Sequence, residues 1–159
     1  MIALLLLFVD FSTKAAASHL LPSILYTKGP IVLFDRLLGI KGSISLAYNK
    51  GAAWGLFANY QIPLLIVRMA TICWLVGYLF FKESRRMHQW ALMLISVGAI
   101  GNVLDFFIYG YVIDFIDLNL WGYDFPLFNV ADALITVGIC LLFILSIVSK
   151  SHHECCKMD

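Results

Sequence analysis

The chain has 159 residues, of which 62% are hydrophobic and only 13% are charged, and its formal net charge is +1. Globular proteins are about half apolar and about a quarter charged, so this composition predicts an integral membrane protein. The net charge is small, and no basic tract carries aromatic residues. The sequence therefore lacks the usual features of a nucleic-acid-binding protein.

Four stretches are apolar enough for membrane-spanning helices, each of which needs about 20 residues. The first begins on a purely apolar run and then carries Asp10 and Lys14, without the basic start or the small-residue cleavage site of a secretory signal peptide. We therefore expect it to be retained as a helix. The predicted helices cover residues 2–21, 62–81, 90–107 and 127–148. They leave two longer connections, residues 22–60 and 110–126, in a single domain of residues 1–159.

Lysine and arginine indicate the orientation of these helices. The short connection after the second helix holds Lys82, Arg85 and Arg86, whereas residues 110–126 contain neither lysine nor arginine. Because positive residues are enriched in cytoplasmic connections, the first of these connections is expected inside and the second outside. Both termini are then cytoplasmic. The basic residues of the first long connection oppose this orientation, but the bias is weaker for longer segments.

The first long connection contains a predicted strand. Residues 43–48, "SISLAY", alternate apolar with small or polar side chains, as a half-exposed strand does. The following "NKGAAWG" supplies a turn, since Asn49 and Gly51 tolerate a positive φ and the alanines let another chain approach. The predicted fold class is therefore an all-α membrane protein of four transmembrane helices, with a small β-structured segment between helices 1 and 2.

Ionisable residues inside membrane helices cost roughly 2.5 to 3.5 kcal/mol each on insertion, and so they indicate either a function or a pairing. Asp10 and Lys14 lie four positions apart on one helical face and are predicted to pair. Arg68, near the outer end of the second helix, is interpreted as a snorkelling or packing residue.

The tetrapeptides "NVLD" and "NVAD", at residues 102–105 and 129–132, repeat one pattern of asparagine and aspartate. Asp114 and Asp117 lie between them in a short connection, so several acids are expected to converge at one depth. Carboxylates that lie close together cannot all ionise, so one of them keeps its proton. The pocket then contains an ionised carboxylate as general base and a protonated one as general acid. Asp117 itself and Asp124 are interpreted as solvated residues of the connection.

Other chemistries lack their motifs. HExxH is missing and the four histidines lie far along the sequence from the acids, so no metal site is expected. A serine-nucleophile motif of the GxSxG type does not occur either. From the residues alone, three functions remain open: a peptidase, a small proton- or cation-conducting protein, and a non-catalytic assembly subunit.

At these residues the sequence resembles the lipoprotein signal peptidase family, the type II signal peptidases of bacterial inner membranes. The resemblance is carried by "NKGAAWGLF", "GNVLDFFIYGYVIDFID", "FNVADALITVG" and the opening "DFSTK". It implies a membrane aspartyl endopeptidase that removes the signal peptide from diacylglyceryl-modified prolipoproteins by cleaving before the lipidated cysteine. The family's catalytic pair falls on Asp114 and Asp132, which would activate water without a metal or a cofactor.

The resemblance also implies supporting polar and small residues around that pair. These are Asn49, Gly51, Ala52, Asn102, Asp105, Asn129, Ala131, Asp10 and Lys14. The small residues Gly98, Ala99 and Gly101 of the third helix are expected to leave room for the signal helix and the acyl chains. The first long connection would form a small β-structured cradle over the site, on the outer membrane surface.

The implied partners are diacylated prolipoproteins and membrane lipid, with no nucleic acid. The protein is expected to act as a monomer in the bacterial inner membrane, with its active site near the outer face. Two residues depart from the family pattern, since Phe106 stands where the family has arginine and Phe11 where it has glutamine. Without that arginine, Asp105 is expected to be protonated, hydrogen-bonded by Asn102, or paired with another cation such as Arg68.

Overall fold

The computed structural model describes residues 1–51 and 56–155, which form four long helices and a small sheet. Each of these helices contains a segment long and apolar enough to cross a membrane. The helices are α1, Ile2–Lys28; α2, Gln61–Phe81; α3, Arg86–Tyr109; and α4, Val130–Cys155. The predicted fold class, four membrane helices with a small β structure, is confirmed.

The sheet is antiparallel, with its strands in chain order from β1 to β4. The strands are β1, Ile31–Leu37; β2, Ile40–Asn49; β3, Val112–Leu120; and β4, Tyr123–Asp124. The strand predicted at residues 43–48 is confirmed and lies inside β2. The sequence had placed β structure between helices 1 and 2 alone, whereas the second connection contributes β3 and β4. The first four residues of β3 are all buried, so this strand lacks the apolar alternation that marks a half-exposed strand.

α1 extends beyond its predicted end, because it continues through Pro22 to Lys28 instead of ending at residue 21. α4 is also shifted from its predicted bounds, since it begins at Val130 and ends at Cys155. A proline inside a helix removes one backbone hydrogen bond and favours a helix end. Here the turns on both sides of it are held by the sheet, since Leu21 and Leu25 pack in one apolar cluster with Ile113 of β3. Tertiary packing thus overrides the local stop signal.

β3 brings Asp114 to the centre of the molecule. Its neighbours Ile113 and Phe115 pack with Ala17 and Leu21 of α1. Because successive side chains of a strand point to opposite faces, Asp114 points away from this cluster. It turns instead towards a cavity between the sheet and the helices.

α3 is the most buried of the membrane helices, and it packs against the other three. Gly98 faces the Ala131 carbonyl of α4, and Gly101 faces the Asp10 carboxylate of α1, so a β-carbon at either glycine would collide with these groups. The two glycines therefore permit close helix packing, and the expectation that they leave room for a substrate is wrong. Ala99 does line the cavity.

Candidate active site

Asp114 is a buried acid with a hydrogen-bond donor on each carboxylate oxygen. Its side chain accepts from Asn49 Nδ2 at 3.1 Å and from Asn129 Nδ2 at 2.8 Å. Burial raises the pKa of Asp114 to about 6, and the negative charge of Asp132 adds to the increase. The two amide hydrogen bonds act in the opposite direction, because they favour the charged carboxylate.

Asp132 lies in the first turn of α4 and belongs to a reciprocal cap of that helix. The Asp132 backbone N–H donates to Asn129 Oδ1 at 3.0 Å, and the Asn129 backbone N–H donates to Asp132 Oδ2 at 3.2 Å. This is the capping-box arrangement, in which two otherwise unpaired N–H groups at a helix start are satisfied by side chains three residues apart. Asn102 Nδ2 donates to the other oxygen of Asp132 at 2.8 Å.

Asn129 connects the two acids. It is fully buried, its Nδ2 donates to Asp114 and its backbone N–H donates to Asp132. One residue at the start of α4 therefore orients a carboxylate from β3 and a carboxylate from its own helix. The predicted convergence of the two N-x-x-D patterns does occur, but "NVAD" also starts a helix, which the capping rule could have indicated from the sequence.

A buried ion cluster lies beside Asp132. Lys14, of which only 1% is exposed, contacts Asp10 Oδ2 and Asp105 Oδ2, each at 2.8 Å. Its Nζ also donates to Asn102 Oδ1 at 3.0 Å. The predicted pair of Asp10 and Lys14 is confirmed. Buried charges need such partners, because moving an unpaired charge out of water has a large desolvation cost.

Of the three alternatives for Asp105, the structure has pairing with another cation, but this cation is Lys14 and not Arg68. Asn102 does not bond to Asp105 either, because its amide lies between Lys14 and Asp132. The Lys14 ammonium thus fills the role that the missing arginine at position 106 had left open. Asp105 also accepts a long hydrogen bond, 3.4 Å, from the backbone N–H of Ile113 in β3.

The smaller residues of the predicted site have structural contacts of their own. The Ala131 backbone N–H donates to Asp10 Oδ1 at 2.8 Å, which joins α4 to α1. The Gly51 N–H donates to Asn49 Oδ1 at 2.9 Å, just after β2. Ala52, the other supporting residue of that turn, lies outside the described residues.

Arg68 is a residue whose surroundings the sequence did not predict. Its Nη2 donates to the Gly51 carbonyl at 2.8 Å, and its side chain lines the same cavity as Asp114 and Asp132. The interpretation of Arg68 as a snorkelling or packing residue is therefore incomplete. Its spacing to Thr71 and Leu75, which also line the cavity, is the helical spacing that could have indicated this face.

The acid-lined cavity has a volume of about 840 Å³. Hydrogen bonds join most of its polar lining residues into one cluster, which contains Asn49, Gly51, Arg68, Asn102, Asp114 and Asp132. The rest of the lining is mainly apolar, and it includes Val67, Leu75, Ile95, Ala99, Ile135 and Ile139. The cavity can therefore hold a ligand that has a polar group and a larger apolar part.

The remaining acids of the second connection lie elsewhere. Asp117 accepts from Ser43 Oγ at 2.9 Å, and Asp124 accepts from Asn119 Nδ2 at 2.6 Å. Both belong to the sheet and neither lines the acid-lined cavity. Over residues 1–51 and 56–149, the His, Cys, Asp and Glu side chains form no group of three or more that could hold a metal ion.

Comparison with known proteins gives consistent matches over most of the chain. The family model for signal peptidase (SPase) II matches residues 2–148. A lipoprotein signal peptidase from Chlamydia pneumoniae is 48% identical over 102 residues, which cover 63% of this chain and 61% of that protein. One from Staphylococcus aureus strain JH9 is 39% identical over 108 residues, or 67% of this chain and 66% of that protein. The chain spans about three fifths of the length of the chlamydial relatives it matches.

Two solved structures, both described as bacterial membrane enzymes, have the same fold. The first, at 2.3 Å resolution, superposes with a TM-score of 0.74 at 32% identity, over 95% of this chain and 88% of that chain. The second, at 1.9 Å resolution, superposes with a TM-score of 0.68 at 33% identity, over 91% of this chain and 88% of that chain.

Proposed function

This chain belongs to the signal peptidase II family, and we propose that it is a membrane aspartyl endopeptidase that removes signal peptides from diacylglyceryl-modified prolipoproteins. The observation that carries the proposal is the arrangement of Asp114 and Asp132. Both acids line one cavity, and both accept hydrogen bonds from Asn129. Two carboxylates held together in this way can divide the roles of base and acid.

In the proposed reaction one acid is ionised and the other is protonated. The ionised carboxylate takes a proton from water as the water oxygen bonds to the scissile carbonyl carbon, and the protonated acid donates to the carbonyl oxygen. The resulting tetrahedral gem-diol collapses when its C–N bond breaks. The protonated carboxyl group gives its proton to the leaving amine, and one hydroxyl of the gem-diol gives its proton back to the pair as the new carbonyl forms. The enzyme forms no covalent adduct, and the pair ends with the one proton with which it began.

The electrostatics of the pair support this division of roles. The pKa of Asp114 is raised to about 6 by burial and by the charge of Asp132. A proton is thus retained at a pH far above the ordinary range of an aspartate, which is the property that a general acid needs. Because the two groups are coupled, the proton belongs to the pair as a whole.

The cavity supports a lipid-bearing substrate. Its polar cluster contains the acids, and its apolar lining suits a signal helix and acyl chains. We propose cleavage immediately before the lipidated cysteine, because the lipid would hold that bond at the depth of Asp114 and Asp132. We further propose a monomer in the bacterial inner membrane, with cytoplasmic termini and with the sheet and the acids towards the outer face.

An ion-conducting role receives less support. A conduction path needs polar groups along its depth. In the described part of the chain, most polar residues that line the acid-lined cavity belong to the cluster around Asp114 and Asp132. The two threonines of the lining, Thr71 and Thr136, donate their hydroxyl groups within their own helices.

The test is cleavage of a purified diacylated prolipoprotein, resolved on a gel. The wild type is expected to cleave it, and Asp114→Asn and Asp132→Asn are each expected to lose at least about 10³-fold in rate, because either change removes one member of the pair. Asp124→Asn is the matched control, since it makes the same chemical change in β4, the edge strand of the sheet, and should cleave normally.

An unlipidated prolipoprotein, which should resist cleavage, tests the lipid requirement. Cleavage that survives in either dyad variant would move the catalytic assignment to another acid. A folded wild type that cleaves neither substrate would contradict the proposed function as a whole.

A further inference from the structure

Two asparagines each donate to one acid, and in both cases the orientation of the amide is forced. Asn102 receives the Lys14 ammonium on its Oδ1, and Asn49 receives the Gly51 N–H on its Oδ1. An ammonium and a backbone N–H can only donate, so each amide must present its oxygen to them. The NH₂ end of each amide is then directed at a carboxylate, Asn102 at Asp132 and Asn49 at Asp114.

A series of hydrogen bonds leads from Arg68 through Gly51 and Asn49 to Asp114. The Arg68 guanidinium holds the Gly51 carbonyl at 2.8 Å, the Gly51 N–H holds Asn49 Oδ1 at 2.9 Å, and Asn49 Nδ2 reaches Asp114 Oδ2 at 3.1 Å. These contacts link α2, the turn after β2, and the acid on β3 in one continuous series. Gly51 lies two residues after the end of β2, so Arg68 contacts the chain just after it leaves the sheet.

We propose that Arg68 is a positioning residue for the proposed reaction, holding Gly51 so that Asn49 donates to Asp114. The inference rests on the proposed function for its catalytic meaning, but the contacts that it invokes do not. An arginine within a membrane helix is costly unless its charge is bonded or hydrated, which gives a reason for the bond to Gly51.

Bonding to a carbonyl also has a chemical advantage over bonding to an acid. Within the described residues, the guanidinium is not within ion-pair distance of Asp114 or Asp132. A direct bidentate pair would hold one carboxylate permanently ionised and remove it as a proton donor. From the Gly51 carbonyl, Arg68 orients the site while both acids remain able to exchange a proton.

A double-mutant cycle tests whether Arg68 acts through Asn49. Arg68→Met keeps an unbranched apolar side chain and removes the donors, and it is expected to lower kcat about ten- to hundredfold with little change in KM, because the acid pair loses its orientation. The same change made in the Asn49→Ala variant is expected to cost almost nothing further. Losses that multiply across the two variants, or a change confined to KM, would overturn the proposal.

A second measurement does not depend on turnover. Infrared titration, with the Asp114 carboxyl band assigned from Asp114→Asn, follows the protonation of that acid directly. The charged groups around it are Lys14 of α1, Arg68 of α2 and Asp132 of α4. Arg68→Met is expected to move the midpoint to higher pH, because the charged carboxylate loses a well-oriented donor. Most of this shift should vanish in the Asn49→Ala background, and an equal shift in both backgrounds would overturn the proposal.

Arg86→Met is the matched control, because Arg86 is exposed at the start of α3 and lies outside the acid-lined cavity. It should leave both the titration and the rate unchanged. Melting temperatures in detergent separate a structural role, since a variant at Arg68 that melts early but titrates normally would contradict the inference. A wild type without cleavage would overturn the proposed function alone, and the titration would still decide the role of Arg68.

Discussion

The acid-lined cavity has a closed side and an open side. On the closed side, Asp132 and Asn102, both partly exposed, are backed by the buried cluster of Asp10, Lys14 and Asp105, each at most 2% exposed. On the open side, Asp114 and Gly51 are themselves buried, and the groups behind them, Asn49 and Arg68, are partly exposed. The closed side joins three membrane helices, whereas the open side joins a strand end to α2.

The two sides are expected to serve different purposes, the closed side stability and the open side reactivity. Charges on the closed side have no water to replace a lost partner, so any change there is expected to affect folding first. Asn49 and Arg68 on the open side are partly exposed and line the cavity, so changes there are expected to affect proton exchange and rate.

The largest effect is expected from Lys14→Met, which leaves Asp10 and Asp105 without their cation. Removing one partner of a buried ion pair costs about 3 to 5 kcal/mol in free energy of unfolding. The measurement is the melting temperature of the purified protein in detergent. Lys28→Met, at the exposed end of the same helix, is the matched control and should melt like the wild type. A Lys14→Met variant with normal melting would show that the closed side is not a stabilising unit.

Asn129→Ala should affect both sides at once. It removes one of the two side-chain amides that donate to Asp114, and it removes the side-chain oxygen that accepts from the Asp132 N–H. Loss of one preorganised donor typically lowers kcat by about 10²- to 10³-fold. Steady-state cleavage rates measure the effect, and a loss below tenfold would indicate that the acids do not need this shared residue.

The pH dependence of cleavage should respond to the open side. The proton shared by the pair must be present for catalysis, and the pKa of Asp114 is raised to about 6, so the rate is expected to fall as pH rises through the upper apparent pKa of the pair. Asn49 favours the charged form of Asp114, so Asn49→Ala should move this fall to higher pH. Asn119→Ala removes a comparable bond to Asp124 in β4, the edge strand of the sheet, and is the control. A profile that moves to lower pH would contradict the assigned contact.

The smallest effect is expected from Phe106→Arg, which restores the arginine that the family pattern has at this position. Asp105 already contacts Lys14 at 2.8 Å, so a second cation has little to neutralise. We expect cleavage rates to stay within about twofold of the wild type, the range of most partly exposed substitutions. A tenfold gain would indicate that this arginine serves the cavity directly.

Much of the fold could be predicted from local patterns. Apolar runs of membrane length predict the four helices, alternation predicts the strand within β2, and a spacing of four predicts the pair of Asp10 and Lys14. The position of Asp132 three residues after Asn129 also indicates the helix cap. In each case the pattern lies within one helix or strand, so the geometry of that element alone sets which of its residues are neighbours.

Local sequence patterns are sufficient to predict a four-helix membrane protein and the acids expected to converge in it. Three contacts could be seen only in the folded molecule: the pairing of β3 with β2, the bond of Lys14 to Asp105, and the bond of Arg68 to Gly51. These contacts join different elements, and no periodicity encodes which distant polar group a buried charge will meet. They follow from desolvation, because each buried charge takes whichever partner packing brings within reach.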